Sequence, residues 1–169
     1  MGGSVAFLTP LLAELRSVSP GVLLRESLRA GTVAGLAMMP FGAAFRAVGL
    51  RINEYGPKTL ALIAGGLEPP LITIAGFAQH MAISWFAAAP LLILVARSRG
   101  RAHRTLTGAA YGAAFYVAVN SLALPAFFGD PTPWELGIAT IAPSLIVHVV
   151  YGSVVAWMAR GGLSGASAR

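Results

Sequence analysis

Two histidines, His80 and His148, are the residues best placed to do chemistry, because each stands alone in an otherwise apolar run. The runs are IAGFAQHMAISWFAAAP, from Ile74 to Pro90, and IAPSLIVHVVYGSVVAWMAR, from Ile141 to Arg160. An imidazole titrates near neutral pH, ligates metals, and both donates and accepts hydrogen bonds. Held inside a bilayer, such a group is costly enough to be read as functional by default. Each histidine has small residues one helical turn to either side: Gly76 and Ser84 about His80, Ser144 and Gly152 about His148. Tyr151 adds a hydroxyl next to the second of these.

Several chemistries suit this set. A flat macrocycle could approach the slim faces, so His80 and His148 are candidate axial ligands of a b-type haem, reaching the iron from opposite sides. A divalent ion suits it less well, because such sites want three or four ligands. Glu68 and Glu135 lie twelve and thirteen residues before their histidines, roughly 18 to 20 Å along a helix, and cannot complete one. A proton or small-solute path would use the same imidazoles, with Tyr111, Tyr116, Tyr151 and Asn120 as relay groups. The plainest reading makes each a neutral histidine bonded to Ser84, Tyr151, Asn120 or a backbone carbonyl, joining neighbouring helices. Hydrolytic chemistry lacks every usual signature, with no GxSxG, no HExxH, no phosphate-binding glycine loop and no intramembrane carboxylate pair. The chain therefore reads as a non-enzyme.

The elements that must position these residues follow from composition. Of 169 residues, 56% are apolar and 11% charged, far below the roughly one quarter charged of soluble domains. The mean hydropathy is +0.73. A bilayer solvates such side chains as well as a protein core does, so the class is an all-α polytopic membrane protein. No cysteine is present, which excludes disulfides and thiolate sites. The net charge of +6 sits at the ends of apolar runs, a topological signal that does not point to nucleic acid.

Four spans are predicted: about 30 to 50, 68 to 96, 105 to 128 and 135 to 159. Residues 1–19 read as a short amphipathic helix lying in the interface, 20–160 as the transmembrane domain and 161–169 as a flexible cytoplasmic tail. Ser19-Pro20 supplies a helix start. A second interfacial helix is expected between Pro57 and Gly65-Gly66, too short to cross. Gly31 and Gly35, and again Gly108 and Gly112, form GxxxG pairs that let a neighbouring backbone approach. Asn120 is an amide at membrane depth in the third span and reads as a helix-to-helix bond.

Lysine and arginine number nine at one end of the spans (Arg16, Arg25, Arg29, Arg97, Arg99, Arg101, Arg104, Arg160, Arg169) and three at the other (Arg46, Arg51, Lys58). The nine should face the cytoplasm, with both termini. The two halves also read as copies of one hairpin, each opening on GxxxG and each carrying its histidine in its second span. Because each copy holds two spans, they point the same way, and the two imidazoles should lie at similar depth.

Four slim spans, a histidine in the second and His148, Tyr151 and Gly152 spaced as His-x-x-Tyr-Gly in the fourth resemble the small bacterial inner-membrane proteins of the YagU-like kind, over about residues 31 to 159. The resemblance implies a stand-alone or accessory inner-membrane protein and is silent on substrate. Two function classes follow: an accessory or cofactor-binding subunit, as a homodimer or in a larger membrane complex, and a small transporter or channel.

Overall fold

The computed structural model describes residues 19–50, 52, 55–96, 98 and 100–159. The expected interfacial segment before Ser19 and the tail after residue 160 lie outside them. Seven α-helices and one π-helical segment make up the described chain, with no strand among its residues. Helix α1 runs Pro20–Ala47, α2 Tyr55–Ala64, α3 Leu71–Val95 and α4 Arg101–Phe115. The rod begun by α4 continues through a π segment, Tyr116–Ala123, and α5, Leu124–Phe128. A single turn, α6 (Pro133–Leu136), precedes α7, Ile138–Met158. Four rods are long and apolar enough to cross a membrane: Pro20–Ala47, Leu71–Val95, Arg101–Phe128 and Ile138–Met158. This is the four-span, all-helical class that composition predicts.

The ends of the rods differ from expectation for local reasons. Helix α1 begins with Pro20 in its first turn after Ser19, where the missing N–H is harmless. The second rod starts at Leu71, after a cis Pro69–Pro70 bond, so Glu68 is not on it. The fourth starts at Ile138 and not near Glu135, because Gly137 at φ +91° separates α6 from α7. Glu135 instead accepts bonds from the backbone N–H (2.6 Å) and hydroxyl (2.8 Å) of Thr132. Those bonds, the backbone one foremost, hold its carboxyl below the usual carboxylate range.

Helix α1 packs along α3 and α7, and α4 packs along α7, while α3 and α4 meet only lightly. The shared core is small-residue and aliphatic: Ala30 and Ala34 of α1, Leu91, Leu92 and Val95 of α3, Val155 and Ala156 of α7. Large apolar side chains point outward instead, with Phe86 80% and Phe127 70% exposed. That inversion suits rods solvated by lipid, where apolar surface need not be hidden.

Each end of the bundle is tied. The Arg29 guanidinium donates to the Met158 carbonyl at 2.6 Å, satisfying a carbonyl at the C-terminus of α7. Arg101 lies over the Trp157 ring, 5.3 Å from its centre. At the opposite end Lys58 pairs with Asp130 at 2.6 Å, and Tyr55 stacks on Phe128 with centroids 5.6 Å apart.

Candidate functional site

Glycine decides how close the rods come, and so where the histidines can reach. A Cβ built on Gly31 would lie 2.8 Å from the Ser84 carbonyl oxygen, and one on Gly35 would lie 2.8 Å from the Ser84 Oγ. In the other half, a Cβ on Gly108 would overlap the Gly152 carbonyl, and one on Gly112 would overlap the His148 carbonyl. A Cβ on Gly152 would in turn overlap the Gly108 carbonyl and lie 3.0 Å from the Gly112 nitrogen. Backbone therefore meets backbone at Gly31 of α1/α3 and at Gly108, Gly112 and Gly152 of α4/α7, where a side chain would force the rods apart, while Gly35 seats the side chains of Ser84 and Met81.

This closeness brings each imidazole onto the facing rod. His80 on α3 places Nε2 3.1 Å from the Gly35 carbonyl of α1; a carbonyl only accepts, so Nε2 carries the proton and donates. His148 on α7 has both nitrogens engaged. Its Nδ1 donates to the Ser144 carbonyl, one turn back, at 2.7 Å. That leaves Nε2 to accept from the Asn120 side-chain N–H at 2.9 Å. The ring stacks on Phe115 and meets Tyr116 at a tilt, with centroids 6.0 Å and 5.6 Å away.

The π segment positions that amide. With i→i+5 bonding, Tyr116, Asn120 and Ser121 all fall on its buried side. Asn120 meets the imidazole, while the Tyr116 and Ser121 hydroxyls are sealed from solvent without a hydrogen-bond partner among the described residues. Two tyrosines tie the other rods to α3. Tyr151 donates to the Ser84 carbonyl, and Tyr111 donates to the Ala87 carbonyl at 2.9 Å.

The remaining site candidates serve these contacts. Ser84 returns its hydroxyl to the His80 carbonyl at 2.9 Å and lies under α1. Gly76 faces α2, where a Cβ would stand 3.8 Å from Leu60. Ser144 is fully buried and supplies the carbonyl for His148. The small residues around each histidine are thus covered mainly by neighbouring helices. His80 bonds within the α1/α3 pair and His148 within the pair formed by α7 and the third rod, so the structure does not bring the two rings onto a common partner.

Several residues that hydropathy and spacing passed over carry polar contacts. Glu26, 2% exposed, accepts from Arg29 at 2.6 Å, and the same guanidinium caps α7. Trp85 donates to the Thr32 hydroxyl at 2.8 Å, a second hydrogen bond between α1 and α3. Gln79 reaches Thr59 on α2 at 2.7 Å. Only the Glu26–Arg29 spacing of three gave a sequence signal. No group of three or more metal-ligating side chains occurs among the described residues.

Fold and contacts together define a bundle of four membrane-length helices, joined pairwise through glycine seats and buried hydrogen bonds. Comparison with protein families, with curated proteins and with solved structures gives no match.

Proposed function

We propose that the chain is an accessory protein of a bacterial inner membrane, and that its two intramembrane histidines join helices and do not ligate a cofactor. The observation that carries this reading is that each imidazole is hydrogen-bonded to the facing rod of its own pair, His80 to Gly35 and His148 to Asn120. A b-type haem fits these residues poorly. Both Nε2 atoms already have partners, and the small faces beside Ser84 and Gly152 are filled by Gly31, Gly35, Gly108 and Gly112. An iron would have to open both pairs before reaching either ring.

The two pairs are read as copies of one hairpin, aligned the same way. One pair of offsets supports this: 77 residues on the first rod and 68 on the second carry Gly31 onto Gly108 and Ser84 onto Gly152, and likewise Gly35 onto Gly112 and His80 onto His148. The YagU-like resemblance of the sequence is in keeping with this plan. The arginine excess at the start of α1 and α4 orients that end, and both termini, to the cytoplasm. The bilayer is the first partner, and a second copy or a larger membrane complex the next.

A small-solute or proton path is the second reading. It is favoured by the unpartnered Tyr116 and Ser121 hydroxyls on the same buried face as Asn120. Absorbance of the purified protein separates ligation from joining. The joining reading expects no Soret band, and expects His80→Gln and His148→Gln to lower stability without spectral change. A Soret band that disappears in His80→Ala or His148→Ala overturns it.

A further inference from the structure

The two seams between the halves of the bundle are unequal. Helix α1 closes on α7, with Ala30, Ala34, Val155 and Ala156 fully buried. The opposite seam, α3 against α4, leaves an open furrow of about 290 Å³ lined by Ile83, Phe86, Ala87, Pro90, Tyr111 and Phe115. Its one side-chain polar atom, the Tyr111 hydroxyl, is already donated to the Ala87 carbonyl. The side chains of the furrow are otherwise apolar.

Its basic end adds a second, independent feature. Arg104, Tyr111 and Phe115 follow at spacings of seven and four, and so share one stripe of the rod. Arg104 therefore stands in line with the furrow, where α4 begins. Its Nε is shielded from solvent and has no partner among the described residues. The first turn of α4 contains no acidic residue, and its free N–H groups favour an anion. Arg104 to Phe115 spans about 16 Å at 1.5 Å per residue, close to the roughly 15 Å hydrocarbon depth of one leaflet.

We infer that this furrow holds one anionic phospholipid of the leaflet at the basic end, its acyl chain between α3 and α4 and its phosphate on Arg104 and the α4 N-terminus. Charge and shape agree on that occupant. An apolar furrow between α3 and α4, with a guanidinium two turns beyond Tyr111 on the same stripe whose Nε has no partner among the described residues, matches a lipid with a negative headgroup better than an uncharged apolar helix.

The test is native mass spectrometry of delipidated full-length protein titrated with dioleoylphosphatidylglycerol or dioleoylphosphatidylcholine. One phosphatidylglycerol per chain should be retained preferentially. Arg104→Gln should weaken its retention about tenfold, the loss of one charge-assisted bond, while leaving phosphatidylcholine adducts unchanged. Ile83→Trp, at the half-exposed rim, should block the furrow and lower retention without touching the core. Equal retention of the two lipids, no effect of Arg104→Gln in folded protein, or a dimer in which neither lipid binds would each overturn the proposal.

Discussion

Replacing Gly112 with alanine is the sharpest perturbation of the packing. A Cβ there would overlap both the carbonyl oxygen and carbonyl carbon of His148, with Val149 Cα 3.1 Å away. All three are backbone atoms, so no side chain can swing aside and the two rods must separate. Overpacking of a rigid contact costs about 1 to 3 kcal/mol. Separation would also stretch the His148–Asn120 bond, adding roughly 0.6 to 1.7 kcal/mol by analogy with measured interhelical bonds in membranes. Opposing this, glycine to alanine in a helix gains at most about 1 kcal/mol in propensity. The balance is a net loss of about 1 to 4 kcal/mol. Gly76→Ala is the matched control: its Cβ would meet only Leu60, at an ordinary 3.8 Å, so it should be neutral or slightly stabilising. Unfolding in mixed micelles with increasing dodecyl sulfate, followed by circular dichroism, measures both. Gly112→Ala as stable as the wild type, or Gly76→Ala equally damaged, would refute the glycine-seat argument.

Arg29→Gln should cost more than Glu26→Gln, up to about 3 kcal/mol, because it leaves a buried carboxylate and the Met158 carbonyl without their common cation; the same unfolding assay checks the order. Tyr116→Phe and Ser121→Ala should be neutral or stabilising, since each removes a buried hydroxyl that lacks a partner; a clear loss in either would favour the solute-path reading. The α6 turn should loosen in acid. Glu135 is held below its usual range by Thr132, so its contribution is complete above the unfolded value near 4.3 and fades as pH falls through the lower folded value. Amide exchange at Glu135 and Leu136 as a function of pH reads this, and Glu135→Gln should abolish the dependence.

Much of the architecture was legible in the sequence because lipid imposes a coarse rule. Apolar runs of sufficient length, with arginines at their ends, mark four rods whatever their packing. Boundaries were less legible. The run from Trp134 to Ile141 reads as continuous, and only the positive φ of Gly137 reveals that the turn holding Glu135 is separate from α7. The histidines stood out as single imidazoles in largely apolar runs, yet spacing along one helix cannot say which atoms a neighbour presents. The slim faces that suggested a macrocycle are instead the places where α1 and α4 press in. Asn120 was expected to join helices, but Tyr-Val-Ala-Val-Asn-Ser-Leu-Ala carries no mark of a π segment. Glu26 is buried beside Arg29, which also reaches the Met158 carbonyl of α7, a contact between residues 129 positions apart that no local pattern signals.

A double-mutant cycle on His148 and Asn120 tests the central claim most directly. The His148→Ala, Asn120→Ala and double variants, unfolded in the same micelles, should give a favourable coupling of about 0.6 to 1.7 kcal/mol. A coupling indistinguishable from zero in folded protein would mean that the imidazole does not join these rods, and would contradict the account.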